Sequence, residues 1–327
     1  MLKIQRDNFN NIDCIKVCMA VLVVATHANL FSIIQTETIR ELFVQALAIK
    51  VPFFFTASGF LVWYKIHNAC KEQKLIKLKK WISKTLRLYL VWSAIYLPYA
   101  IYGFYLDGLS IYKSAAVYLR NFLLVGQNFW SWPLWYLLGM LVAGIIIYQM
   151  VKYNLKPWVM YLIAGALALL GIAINHYQDA AYLDLYFKLF KSTSNGFFAG
   201  LPYIMLGIAI AANGVIDSKK GLWGLLLCSF LIHMFGIKIA TFVVIYALFS
   251  LVLQFDLPSR EDNLYRNFRL TSTIVYFVHM LWIGLLWLLF PGITPIPLFC
   301  AAVLLSFMTA TMAIRCKESR IVKLLFR

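Results

Sequence analysis

The sequence predicts an all-α, polytopic membrane protein: a bundle of about ten transmembrane helices with both termini cytoplasmic. Three observations carry that prediction. Of the 327 residues 62% are hydrophobic and only 13% charged, half the charged fraction of about a quarter in a soluble domain, and the mean hydropathy is +0.78. The apolar residues recur in runs of roughly 18 to 24, the length a helix needs to cross about 30 Å of hydrocarbon. The basic residues separating those runs fall unevenly on alternate sides.

The ten runs lie at about 12–31, 42–64, 82–105, 134–152, 157–176, 196–213, 221–235, 237–254, 270–290 and 295–314. The seventh and eighth are the weakest, since only the stretch from His233 to Lys238 separates them. They form one membrane-embedded domain over 1–327, with no appended soluble domain, low-complexity linker or internal repeat. The start of the chain, with Lys3, Arg6 and an apolar run over 17–25, superficially resembles a secretory signal, but Asp13 and Lys16 interrupt the run.

The net charge of +17 invites a nucleic-acid partner, and its distribution argues against one. With the N-terminus cytoplasmic, that side carries twenty of the thirty Lys and Arg, among them Lys3, Arg6, six lysines over 65–80, Arg260, Arg266, Arg269 and Arg327. The opposite side holds six: Arg40, Lys113, Arg120, Lys188, Lys191 and Lys238. A positive-inside protein in a lipid bilayer has this pattern. The connector KIHNACKEQKLIKLKK over 65–80 reads either as an anchor against anionic lipid or as a docking surface for a phosphorylated ligand. The segment 111–125, apolar but short and carrying Lys113 and Arg120, suits a helix in the interface, and Trp130, Trp132 and Trp135 suit an aromatic belt. Six cysteines, four in spans and two in cytoplasmic loops, predict neither a disulfide nor a metal site.

An ionisable side chain near the bilayer centre costs about 2.5 to 3.5 kcal/mol on insertion scales, so such residues are functional candidates. Here they are Asp13, Lys16, His27, Lys50, Lys84, Arg87 and His279. Lys16 and His27 are eleven positions apart, within about 20° of one helix face and separated by about 16 Å. Asp13, three residues before Lys16, can pair with it. His27 can exchange a proton or attack a carbonyl, although a histidine bonded to a neighbouring helix satisfies the same composition. Ser272, Tyr276 and His279 form one polar stripe that must face protein or water. Lys50 and Pro52, with Ser58 and Gly59 further on, mark the second span as one that permits close helix approach.

Taken together and in order, IDCIKVCMAVLVVATH with Asp13, Lys16 and His27, KVPFFFTASGFL closing in Ser58, Gly59 and Phe60, the basic pair Lys84 and Arg87, PLWYL, NGFFAGLPYIMLG and the Tyr276 to His279 stretch resemble the membrane-bound acyltransferase family 3 over nearly the whole chain. The resemblance implies a multi-pass protein of the inner (plasma) membrane that takes an acyl group, usually acetyl, from cytoplasmic acyl-CoA, here a co-substrate, to a hydroxyl of a cell-envelope polysaccharide or its lipid-linked precursor. It implies His27 as the catalytic residue, as general base or acyl carrier. Lys16, Lys84 and Arg87 would bind acyl-CoA, and Asp13, Lys50, Ser58 and His279 would support. The family commonly has arginine where Lys16 and Lys84 stand, and lysine lacks the bidentate phosphate contact. The VPFFF run also resembles the membrane part of vancomycin-resistance serine racemases, where uptake of an amino acid is the proposed role. That makes transport of a small amino acid the rival reading, with a non-catalytic flippase or assembly subunit for polysaccharide as a third.

Overall fold

The computed structural model describes residues 8–255, 257 and 264–326; of the cations assigned to the cytoplasmic side, Lys3, Arg6, Arg260 and Arg327 lie outside them. The described residues form helices and no strand. In chain order the helices are α1 (Asn10–His27), α2 (Glu37–Leu47), α3 (Lys50–Tyr64), α4 (Lys71–Leu106), α5 (Ile111–Arg120), α6 (Leu134–Lys152), α7 (Pro157–His176), α8 (Asp184–Phe190), α9 (Leu201–Asn213), α10 (Lys219–Met234), α11 (Ala240–Gln254), α12 (Leu264–Leu289), α13 (Pro295–Arg315) and α14 (Arg320–Phe326). Short π-helical turns at Asn121–Val125 and Gly196–Gly200 precede α6 and α9.

Each apolar run read from the sequence falls on helix, and among the described residues seven helical stretches are long and apolar enough to cross a membrane. They are α1, α2 continued by α3, α6, α7, α9 with its preceding turn, α12 and α13. The other three runs are α4, α10 and α11. At 16 and 15 residues, α10 and α11 reach about 24 and 22 Å, short of a full hydrocarbon thickness. Helix α4 has 36 residues, about 54 Å, so part of it extends beyond hydrocarbon about 30 Å thick. Residues 71–80 of the basic connector, expected as a loop, are its first turns. The second run, expected as one helix, is broken at Ala48 and Ile49 into α2 and α3.

Several ends follow from local chemistry. The Ser110 and Ser218 hydroxyls accept the Lys113 and Gly221 N–H groups at the starts of α5 and α10, and Pro157 and Pro295 open α7 and α13, where a missing N–H costs nothing. Asn195 accepts from both Phe197 and Phe198 N–H, which starts the turn leading into α9.

The chain divides into two compact units, one of residues 1–54 and 213–327, the other of residues 55–212. In the first, α12 packs against both α1 and α13, and α10 packs against α11 and α2. In the second, α4 packs on α6, and α6 and α7 pack on the turn at 196–200. Within this second unit a Cβ on Gly59 would run into the Ile204 carbonyl, and one on Gly207 into the Thr56 carbonyl. Helices α3 and α9 therefore touch backbone to backbone at two glycines. This is how helices associate where lipid removes the hydrophobic drive between them.

Candidate active site

Helix α1 brings Asp13, Lys16 and His27 into the first unit, together with Lys50 at the start of α3 and His279 on α12. Asp13 is 1% exposed. Its carboxylate accepts from Arg269 Nε at 3.1 and 3.0 Å and from Nη2 at 2.7 Å, a bidentate ion pair across α1 and α12. The sequence reading paired Asp13 with Lys16 and counted Arg269 as a cation of the cytoplasmic loop. Arg269 lies within α12 and holds the buried carboxylate, a partner that spacing on α1 did not offer. Spacing on one helix reveals i,i+3 neighbours, whereas a partner 256 positions away is invisible to it. The available signal was that a carboxylate inside a span needs a cation from another helix.

At the other end of the same helix packing, the His27 and His279 rings lie 5.3 Å apart, centroid to centroid, with 27° between their planes. Asp13 with Arg269 and His27 with His279 make α1 and α12 parallel. The His279 side chain is fully buried. Its Nδ1 lies 3.0 Å from the Val275 carbonyl oxygen. A carbonyl can only accept, so Nδ1 carries the proton and Nε2 presents a bare lone pair. Among the described residues that Nε2 is buried without a hydrogen-bond partner. A buried acceptor left unpaired costs about 1 to 3 kcal/mol and calls for a reason.

The polar stripe on α12 faces protein as predicted: Ser272, Tyr276 and His279 are 1%, 6% and 0% exposed. The Ser272 hydroxyl donates to the Arg269 carbonyl. Tyr276 meets His279 edge to face at 6.2 Å and Phe54 at 5.6 Å. Lys50 Nζ donates to the Leu47 carbonyl at 3.0 Å, so its charge caps the end of α2, where orphan carbonyls favour a cation.

Three of the residues expected at the site belong to the second unit. Ser58 Oγ lies 2.9 Å from the hydroxyl of Tyr136, a buried partner on α6 that the sequence reading missed. Lys84 and Arg87 are exposed on α4 and, with Ile76, Lys79, Lys80 and Ser83, line an open groove of about 530 Å³. These six recur at three- and four-residue intervals and share one helix face. A phosphorylated ligand lying there would meet four cations and a hydroxyl.

A family model described as an acyltransferase domain matches residues 9–315. Among curated proteins, an amino-acid racemase of Enterococcus faecalis is 27% identical over 213 residues, 62% of this chain and 28% of that protein. A serine/alanine racemase of Enterococcus gallinarum is 25% identical over 268 residues, 74% of this chain and 37% of that protein. The chain thus spans about a third of the length of these relatives. No solved structure matches it.

Proposed function

Because the chain belongs to the acyltransferase family whose model spans residues 9–315, and carries several helices able to cross a membrane, we propose that this multi-pass membrane protein is an O-acyltransferase of the inner membrane. Its donor is cytoplasmic acyl-CoA, with acetyl the usual group, and its acceptor a hydroxyl on a cell-envelope polysaccharide or lipid-linked precursor. The observation that carries this reading is the pair of imidazoles on α1 and α12. It supplies two proton-handling groups side by side on helices that lie within the matched region.

In this proposal the acceptor oxygen attacks the thioester carbonyl while its proton passes to His27, and the C–S bond breaks. The thiolate leaves with the bonding electrons and takes the proton back from His27. His279 supports: its ring is stacked against that of His27, with centroids 5.3 Å apart and 27° between the planes, and its bare Nε2 is an acceptor that a rotation of either ring could turn toward the N–H that His27 gains. Lys84 and Arg87, with Lys79 and Lys80 in the same groove, are the proposed contacts for the CoA phosphates, and Lys16 on α1 is proposed as a further acyl-CoA contact by the family resemblance. Their attraction is charge-assisted and weakens with salt.

The test is acyl transfer by purified protein in lipid nanodiscs, followed as acceptor-dependent thiol release from acetyl-CoA. His27→Ala should lower the rate by about 10² to 10⁴-fold, the share a general base supplies. Transfer at the normal rate in that variant would refute the mechanism. Similarity to proteins named racemases over 62% and 74% of the chain favours one second reading, transport of a small amino acid. Uptake of serine or alanine into proteoliposomes, with no thiol release from acetyl-CoA, would replace the first reading with it.

A further inference from the structure

Of the six cations assigned to the side opposite the termini, Arg120 and Lys191 come together in the second unit, at the end of α5 and the end of α8. The Arg120 guanidinium is held rigidly. Nε and Nη2 both donate to Asn121 Oδ1, at 3.1 and 2.8 Å, and Nη1 donates to the Lys188 carbonyl at 3.1 Å. Asn121 is buried, and its own amide donates to Asn128 Oδ1 at 3.0 Å. A guanidinium has five N–H donors, so two remain uncommitted among the described residues.

Lys191 ends α8 in the left-handed region, at φ 62°, a conformation that costs a non-glycine residue energy. Tyr186 fixes the loop that follows: its hydroxyl donates to the Ser192 carbonyl at 3.0 Å and accepts from Asn195 Nδ2 at 2.9 Å. Lys191 is exposed, and partial desolvation, then the Arg120 charge, hold its ammonium below the ordinary lysine range. Among the described residues no carboxylate forms an ion pair with either cation. Two like charges are thus brought together on a braced backbone without a counter-ion, an arrangement an anion would stabilise.

The surroundings say where that anion comes from. On α5, Ile111 and Tyr112 are 85% and 89% exposed, and on α8 Leu185 is 68% exposed. Short helices with bare apolar faces and cations at their ends lie along a membrane surface, apolar side down and charges at headgroup level. We propose that Arg120 and Lys191 hold the phosphate of a lipid at the membrane face, between α5 and α8. A guanidinium fork beside an ammonium suits a tetrahedral phosphate. The inference stands independently of the acyl-transfer chemistry.

The experiment uses the full chain in nanodiscs containing equal phosphatidylcholine and phosphatidylglycerol, with retained lipid counted by native mass spectrometry. The wild type should keep phosphatidylglycerol in excess. Lys191→Gln should lower the excess about fivefold and Arg120→Gln with Lys191→Gln about twenty-fivefold, as expected from the usual effect of one cation near an anionic surface. Since Arg120 also braces the backbone, the single Lys191 variant decides if the double one does not fold. A polyprenyl monophosphate added to the same discs separates the two lipid sources: stronger retention than phosphatidylglycerol assigns a lipid-carrier phosphate, and equal retention assigns the bulk phospholipid. No preference for phosphatidylglycerol in the wild type, an unchanged preference in Lys191→Gln, or binding of free inorganic phosphate alone would each overturn the proposal.

Discussion

Removing the two partners of the Asp13–Arg269 pair should have unequal consequences, and the inequality can be worked out from their surroundings. The Asp13 side chain is 2% exposed and that of Arg269 is 50% exposed. Arg269→Met leaves an ionised carboxylate buried without its bidentate partner, a loss of about 3 to 5 kcal/mol for a broken buried pair. Asp13→Asn leaves a guanidinium that can turn toward water or headgroups and an amide that still accepts one hydrogen bond, about 1 to 3 kcal/mol. We predict that Arg269→Met lowers the midpoint of SDS-induced unfolding in mixed micelles by at least twice as much as Asp13→Asn. The double variant should be less destabilised than Arg269→Met alone, because no buried charge remains. Equal effects of the two single variants, or an additive double variant, would refute the argument that burial of the carboxylate sets the cost.

Four further outcomes follow from separate observations. His279→Gln keeps an acceptor near the position of Nε2, so it should retain most acyl transfer, whereas His279→Phe keeps the ring but no acceptor and should lower kcat about tenfold or more with KM for acyl-CoA unchanged; a common rise in KM would make His279 a mere packing residue. Gly207→Val sets a branched side chain against the Thr56 carbonyl and should abolish folded, monodisperse protein in detergent extracts; normal yield would disprove the backbone contact. Lys84→Ala with Arg87→Ala should weaken acyl-CoA binding by isothermal titration and leave a weaker salt dependence, and unchanged binding would reduce the groove to a topological anchor. Cysteine probes on a cysteine-free background should label position 75 from the cytoplasm and position 182 from outside; the reverse would overturn the proposed orientation.

Legibility of the fold and of the site diverged for a physical reason. Lipid requires backbone hydrogen bonds to close within each segment, so the ten apolar runs imposed helix at their positions whatever their neighbours. Even the shorter α10 and α11 were visible, although among the described residues they fall outside the seven helical stretches long and apolar enough to cross a membrane. The limits of α4 were less legible, because lysines over 71–80 signal a loop by charge while remaining good helix formers. The break at Ala48 and Ile49 had a local signal in Pro52, which offers no N–H to the Ala48 carbonyl and whose ring crowds it, but the sequence shows it equally as a mark of close helix approach. Partners between helices were mostly beyond reach. Spacing offers Lys16 as a neighbour of Asp13, but Arg269 as its bidentate partner and Tyr136 as the partner of Ser58 are products of tertiary structure.

The two links between α1 and α12 differ in kind, and that difference bears on function. Fourteen residues of α1 and ten of α12 separate the ion pair from the histidines, about 21 and 15 Å of helix respectively. The difference of about 6 Å is within the reach of the long Arg269 side chain, which spans from α12 to the carboxylate on α1. The bidentate ion pair fixes the entrance of α1 in direction as well as in distance, whereas two imidazole rings without a hydrogen bond to His279 Nε2 fix only proximity. The ion pair thus fixes where α1 enters beside α12, and the stacked rings bring the His279 lone pair close to His27, the group that the proposed proton transfer would use. A second full set of hydrogen bonds there would lock the lone pair that the reaction needs.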